Sequence, residues 1–212
     1  QIEHIAVDAR ADGTLHTDVY LKNISKGQQL ELSLISCDSQ LPIGRQVCGL
    51  STEEKQILTT YWNNIRTWDP EHPNLYRLTM RLLSTTGDVV HEITERIGFR
   101  TIEFRPEDGV YLNGTRLLVK GINRHCFDPE TGRTISRELS LKDALLIKQM
   151  NMNAVRSHYP PDTHFLEACD SIGLLYLNEL CGWQNSYSTE IAEKLLPEMI
   201  FRDVNQPCIF VW

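Results

Sequence analysis

About a hundred residues of period-two strand pattern, followed by strand–helix–strand repeats whose strands end in polar clusters, predict two architectures in one chain. The first is an immunoglobulin-like β-sandwich, and the second is the first four β/α units of a TIM (β/α)8 barrel. A polar connector, Arg105-Pro106 through Gly109, marks the change of composition between them. The expected domains are therefore residues 1–104 and 105–212.

In the first part, Ile5 and Val7 alternate before Asp12-Gly13, and Leu15, Val19 and Leu21 alternate after it. Leu30, Leu32 and Leu34 follow a turn between Asn23 and Gly27, and Tyr76, Leu78, Met80 and Leu82 run to Thr86-Gly87-Asp88, from which Val89 to Ile97 returns as a hairpin partner. About seven short strands without a convincing helix fit a sandwich. Trp68-Asp69-Pro70-Glu71-His72-Pro73-Asn74-Leu75-Tyr76 reads as a stiff lead into a strand, because each proline holds its predecessor extended. Trp62 and Trp68 are expected to pack in a core or interface rather than form a sugar platform.

In the second part, Tyr111-Leu112, Asn113-Gly114 and Leu117-Leu118-Val119 predict a hairpin whose second arm runs on through Gly121-Ile122-Asn123 as the first barrel strand. Ser140-x-x-Asp143 reads as a capping box, with Leu141, Ala144, Leu145 and Lys148 as the helical face, ending near Asn151. Asn153 to Ser157 is the second strand. Asp162 is placed to cap a second helix with Phe165, Leu166, Cys169 and Ile172 on one side and Gly173 as terminator. Leu174 to Leu177 is the third strand. A third helix carries Glu190 and Glu193 in its first turn and should be kinked or split by Pro197, and Cys208 to Trp212 is the fourth strand. Half of a closed barrel has two open parallel edges, so the reading expects this chain to be a segment of a longer protein.

Composition narrows the function. Net charge is -7 with no basic cluster, which argues against nucleic acid as a partner. No apolar run approaches the roughly 20 residues of a membrane-spanning helix. The expected protein is soluble, and cytoplasmic, periplasmic and secreted locations are all left open, as is homo-oligomerisation. The six cysteines contain no C-x-x-C pair, so neither a zinc nor a redox layout is present, and most read as reduced core residues. A Cys37–Cys48 bridge is left open for an oxidising compartment.

Tyr111-Leu112-Asn113-Gly114, Gly121-Ile122-Asn123-Arg124-His125 and Ala154-Val155-Arg156-Ser157-His158-Tyr159-Pro160 together resemble family 2 glycoside hydrolases, as do the Trp68 to Tyr76 segment, Gly98-Phe99-Arg100 and Arg202-Asp203-x-Asn205-x-Pro207. The resemblance covers nearly the whole chain. It implies a retaining exo-acting β-glycosidase, β-galactosidase-like, acting on terminal β-linked sugars without a cofactor. The alternative is a non-catalytic carbohydrate-binding or scaffold protein derived from the family. An adhesion-type sandwich module explains only the first hundred residues.

Glycoside hydrolysis with retention needs two carboxyl groups about 5 to 5.5 Å apart, one as acid/base and one as nucleophile. The resemblance places both glutamates beyond Trp212, so no catalytic residue is expected in this chain and the segment alone should be inactive. It places Arg156 where the family orients those carboxylates, and His158 and His125 where it contacts sugar, with Asn123 beside His125. Arg156 is equally read as a structural ion-pair partner; either role predicts a neighbouring glutamate. For His158 the substrate role is the reading taken, and a rim histidine satisfied by its neighbours is the alternative. After His125 many relatives continue Glu-His or Gln-Asp, whereas this chain has Cys126-Phe127-Asp128, and Asp128 is a candidate to supply that acidic function from a shifted position. Glu179 stands in Asn178-Glu179, where relatives have Asp-Glu, as a supporting carboxylate. Trp183 is a stacking candidate in a loop that lacks the Glu-x-His of the magnesium-binding relatives, so no metal site is expected.

Overall fold

A computed structural model describes residues 1–182 and 187–212. The chain divides into two compact units, one made of residues 1–68 and 74–101 and the other of residues 69–73 and 102–212.

The first unit is a sandwich of two antiparallel sheets. Strands β1 (Ile2–Ala9), β2 (Thr14–Leu21) and β5 (Lys55–Tyr61) form one sheet in the order β1-β2-β5. Strands β3 (Gln29–Ser36), β4 (Pro42–Gly49), β6 (Tyr76–Leu83) and β7 (Val89–Ile97) form the other in the order β4-β3-β6-β7. Alternation in the sequence becomes the core directly: Ile5, Leu15, Val19, Leu30, Leu32, Leu34, Leu78, Met80 and Leu82 are fully buried in one cluster with Phe99. Trp62 lies in that cluster with its indole N–H donated to Thr60 Oγ1 at 3.0 Å, and Trp68 is also fully buried, so both tryptophans pack as expected. Cys37 and Cys48 are free. Cys48 pairs across the sheet with Leu30, and Cys37 lies seven residues beyond Leu30, just past the other end of β3. The hairpin separates them by roughly 20 Å, far outside disulfide reach.

The second unit begins with a small antiparallel sheet absent from the sequence reading as a sheet of its own: β8 (Ile102–Arg105), β9 (Gly109–Leu112) and β10 (Thr115–Leu117), in the order β10-β9-β8. β8 pairs with β9, which places this strand in the second unit. Asn113 (φ 51°) and Gly114 (φ 78°) make the tight turn from β9 to β10, as that dipeptide predicts.

A four-stranded parallel sheet follows, in the order β11-β12-β13-β14: β11 (Gly121–Asn123), β12 (Ala154–Arg156), β13 (Leu175–Leu177) and β14 (Ile209–Val211). The sandwich and this sheet with its helices fit an immunoglobulin-like domain and part of a TIM barrel. The first barrel strand is shorter than expected, and Asn153 supplies the reason. Its side chain accepts from the Lys120 N–H at 2.7 Å and donates to the Leu118 carbonyl at 2.9 Å, taking the backbone groups that a continuous strand would pair.

Helix α1 (Arg137–Gln149) is capped by Ser136, whose side chain accepts from the Leu139 N–H, and not by Ser140. The expected capping box fails because the helix starts earlier: Ser140 lies inside it with its N–H donated to the Ser136 carbonyl at 3.0 Å, and Asp143 is engaged by Arg124 at 2.6 Å. The buried face is also different. Ser140, Ala144 and Ile147 are inside, whereas Leu141 and Leu145 stay 45% and 44% exposed. Helix α2 (Thr163–Ile172) has Asp162 at its N-cap position, although that side chain makes no capping bond, and Gly173 ends it in the left-handed region at φ 78°. Helix α3 (Thr189–Asp203) runs unbroken through Pro197. The proline removes one donor and leaves a gap in the ladder without ending the helix, because the turns on either side carry it.

Gly173 is required twice over. A side chain there would be strained at positive φ and would overlap the Pro70 carbonyl, which accepts from Lys148 Nζ at 2.5 Å. Gly114 has the same φ with open space around it. Gly173→Ala should therefore lower stability by about 2 kcal/mol or more, and Gly114→Ala by about 1 kcal/mol, the backbone cost alone. Denaturant midpoints of the two variants measure the difference, and equal losses would remove the Pro70 contact from the explanation.

Candidate active-site rim

The polar residues meet at the C-terminal ends of the parallel strands, where open backbone ends and loops let side chains converge. Asn123 and Arg156 are register partners on β11 and β12, and Arg156 Nη1 donates to Asn123 Oδ1 at 3.2 Å. Glu179 lies two residues past β13 and accepts from Arg156 Nε at 2.7 Å. His158, two residues past β12, lies with Nδ1 3.5 Å from the other Glu179 oxygen, and its ring contacts the Arg156 guanidinium at 3.1 Å. His125 stacks on His158 with ring centroids 5.5 Å apart and planes 26° from parallel. Five of the seven expected site residues thus form one cluster: Asn123, His125, Arg156, His158 and Glu179. Arg156 and Glu179 are each about one third exposed, which leaves the pair open to solvent and to a ligand.

The neighbour expected of Arg156 is Glu179. A guanidinium held on one side by a carboxylate and on another by an amide oxygen has a fixed orientation.

Asp128 is elsewhere. Its carboxylate accepts from the N–H groups of Glu130 at 2.9 Å and Thr131 at 3.0 Å, and its backbone brackets Gly132, so the side chain holds its own loop. Those backbone bonds, Thr131 first, hold its carboxyl below the usual range. A carboxylate committed in this way is not brought to the cluster. Trp183 falls outside the described residues. Among the described residues, no group of three His, Cys, Asp or Glu side chains is close enough to hold a metal ion, and no helix is long and apolar enough to cross a membrane.

Three supporting groups stand in the sequence only as parts of motifs, and of their partners only the Arg202–Asp203 pair is expected there. Arg124, 7% exposed at its side chain, is paired with Asp143 at 2.6 Å, lies over the Phe165 ring at 4.0 Å and donates to Cys126 Sγ at 3.0 Å. Strand alternation held the signal: if Asn123 and His125 serve the rim, the residue between them points the other way, into the helices. Tyr159 contacts His125 and Cys126. Asn178, fully buried, donates to Asp203 Oδ2 at 2.8 Å, and Asp203 in turn takes both forks of Arg202, at 2.7 and 2.6 Å. Arg202 also reaches the Pro161 carbonyl at 3.1 Å. The Arg202-Asp203 motif therefore ties α3 to the ends of β12 and β13 as scaffold.

Models of two parts of one family match the chain: glycosyl hydrolases family 2 over residues 2–100, and the TIM barrel domain of glycosyl hydrolases family 2 over residues 105–193. The chain belongs to glycosyl hydrolase family 2. Among curated family relatives, a β-galactosidase of Thermoanaerobacter pseudethanolicus is 35% identical over 97% of this chain and 28% of its own length. A β-galactosidase of Thermoanaerobacterium thermosulfurigenes is 42% identical over 70% of this chain and 21% of its own. A putative β-glucuronidase of Formosa agariphila is 40% identical over 70% of this chain and 19% of its own. The chain thus spans less than a third of these relatives. A family 2 structure from Bacteroides cellulosilyticus superposes with a TM-score of 0.84 at 26% identity, over 100% of this chain and 30% of that one. A Bifidobacterium dentium β-glucuronidase superposes at 0.85 with 23% identity, over 98% of this chain and 36% of that one, which speaks for the fold.

Proposed function

We propose that this chain forms one wall of the sugar pocket of a retaining exo-β-glycosidase, β-galactosidase-like, and contributes the first four β/α units of its barrel after a sandwich domain of about residues 1–104. The observation that carries the reading is the rim cluster, in which Asn123, Arg156, His158, His125 and Glu179 offer amide, imidazole and carboxylate groups to sugar hydroxyls in one place. Arg156 is already balanced by Glu179, which favours a neutral sugar over a uronate whose carboxylate would compete for the guanidinium. The names of the relatives support a β-glycosidase in general. Glu179 is assigned a supporting role, and the acid/base and nucleophile are assigned to glutamates beyond Trp212. No cofactor is proposed, and the partner is a terminal β-linked sugar.

Residues 1–212 alone should not hydrolyse aryl β-glycosides, and a protein extended through a complete barrel should hydrolyse aryl β-galactoside faster than aryl β-glucuronide. Chromogenic assays of both proteins decide it. Turnover by the short chain above the buffer blank overturns the placement of the catalytic carboxylates. An inactive extended protein that binds galactosides leaves the non-catalytic reading, and preference for the glucuronide overturns the choice of sugar.

A further inference from the structure

Tyr159 closes with its side chain a gap that the backbone leaves open. The Arg124 N–H donates to the Arg156 carbonyl at 2.8 Å, continuing the parallel pairing past β11. Two residues on, the Cys126 N–H donates to the Tyr159 phenol oxygen instead, at 2.9 Å. An amide has only a proton to give, so the phenol accepts there and keeps its own proton for another partner. His125 Nδ1 stands beside it, 3.4 Å away, within reach of that proton. A phenol proton given to Nδ1 requires that nitrogen to be bare, which places the proton of the neutral imidazole on Nε2.

The tyrosine is itself held. Arg133, on the same loop as His125, lies over its ring at 4.2 Å, and Ser157 Oγ donates to its carbonyl at 2.6 Å. The His125 ring sits between two aromatic neighbours, stacked on His158 and 5.9 Å from the Tyr159 ring centroid.

We infer that Tyr159, clamped by Arg133, is a positioning residue that sets His125 in the Nε2–H tautomer, so that this imidazole presents an N–H donor to a sugar hydroxyl. The last clause rests on the proposed glycosidase function; the tautomer does not. Tyr159→Phe keeps the ring, the stacking and the Arg133 contact while removing both hydrogen bonds, so the fold should survive.

The test uses the protein with its complete barrel, labelled with 15N-histidine and recorded at pH 8 by long-range 1H–15N correlation, with His125 assigned by its loss in His125→Gln. The expected wild-type signal has a bare Nδ1 and a protonated Nε2, and Tyr159→Phe should turn it into a mixture of tautomers. With an aryl β-glycoside, Tyr159→Phe should raise KM about three- to tenfold, the worth of one neutral hydrogen bond, with kcat within about twofold. Arg133→Gln should move KM in the same direction. A wild-type His125 carrying its proton on Nδ1, or a tautomer unchanged in Tyr159→Phe, overturns the positioning role. An unchanged KM beside a changed tautomer overturns the donor role toward sugar. If the wild-type protein hydrolyses no glycoside, the proposed function fails while the tautomer measurement still decides on Tyr159.

Discussion

Arg156→Ala, made in the protein with a complete barrel, is expected to lower kcat by about a hundredfold and to leave KM within about threefold. Arg156 is the hub of the rim: it donates to Glu179 at 2.7 Å and Asn123 at 3.2 Å and touches the His158 ring at 3.1 Å. Removing the guanidinium leaves the Glu179 carboxylate beside His158, without the bond that fixes its orientation, and lets it swing. Under the proposed glycosidase function the loss should appear chiefly in kcat, because the guanidinium would then fix an arrangement of charge matched to the transition state. Arg156→Lys should restore little, since an ammonium cannot hold Asn123 and Glu179 in the geometry of a planar fork. Steady-state kinetics on both variants, with circular dichroism to confirm folding, checks this. A rate within twofold of wild type for Arg156→Ala would make the residue scaffold.

Much of the fold was legible because it depends on local rules that few contacts override. Alternating strands, the Asn113-Gly114 turn and the Gly173 terminator each follow from backbone geometry, and each stands where expected. The cluster at the rim was legible for a related reason: residues ending parallel strands of one sheet are brought together by the sheet itself. What failed were choices among competing partners. Ser136 and Ser140 are both chemically fit to cap α1, and Asp143 completes a capping box on paper. In the folded chain Arg124 claims Asp143, and nothing within the helix sequence announces an arginine thirteen residues before it begins. Asn153 shortens the first barrel strand in the same manner, and Asp128 is taken by its own loop. Side chains with two or three possible bonds are settled by tertiary contacts, so their sequence positions give candidates and not assignments.

The Arg124–Asp143 pair carries the second large expected effect, on stability. Burial works against the charge of Arg124, and the bond to Asp143 with the nearby Cys126 outweighs it, so the guanidinium's pKa is raised and the group stays charged inside the unit. Asp143→Ala removes the anion and leaves that charge among Phe165, Cys126 and the helices without its counterpart. The expected loss is about 3 kcal/mol, at the lower end for a broken buried pair because Asp143 is 32% exposed and water can reach its side of the site. Arg124→Met should cost less, since methionine fills the channel against Phe165 and the abandoned Asp143 can turn to solvent. The double variant Arg124→Met/Asp143→Ala should then be more stable than Asp143→Ala alone, because the stranded charge is gone. Chemical unfolding of the four proteins in a double-mutant cycle reads the coupling, expected at about 2 kcal/mol. Additive losses, with a coupling below about 0.5 kcal/mol, would mean that Arg124 is held by its stacking on Phe165 and that Asp143 is incidental to it.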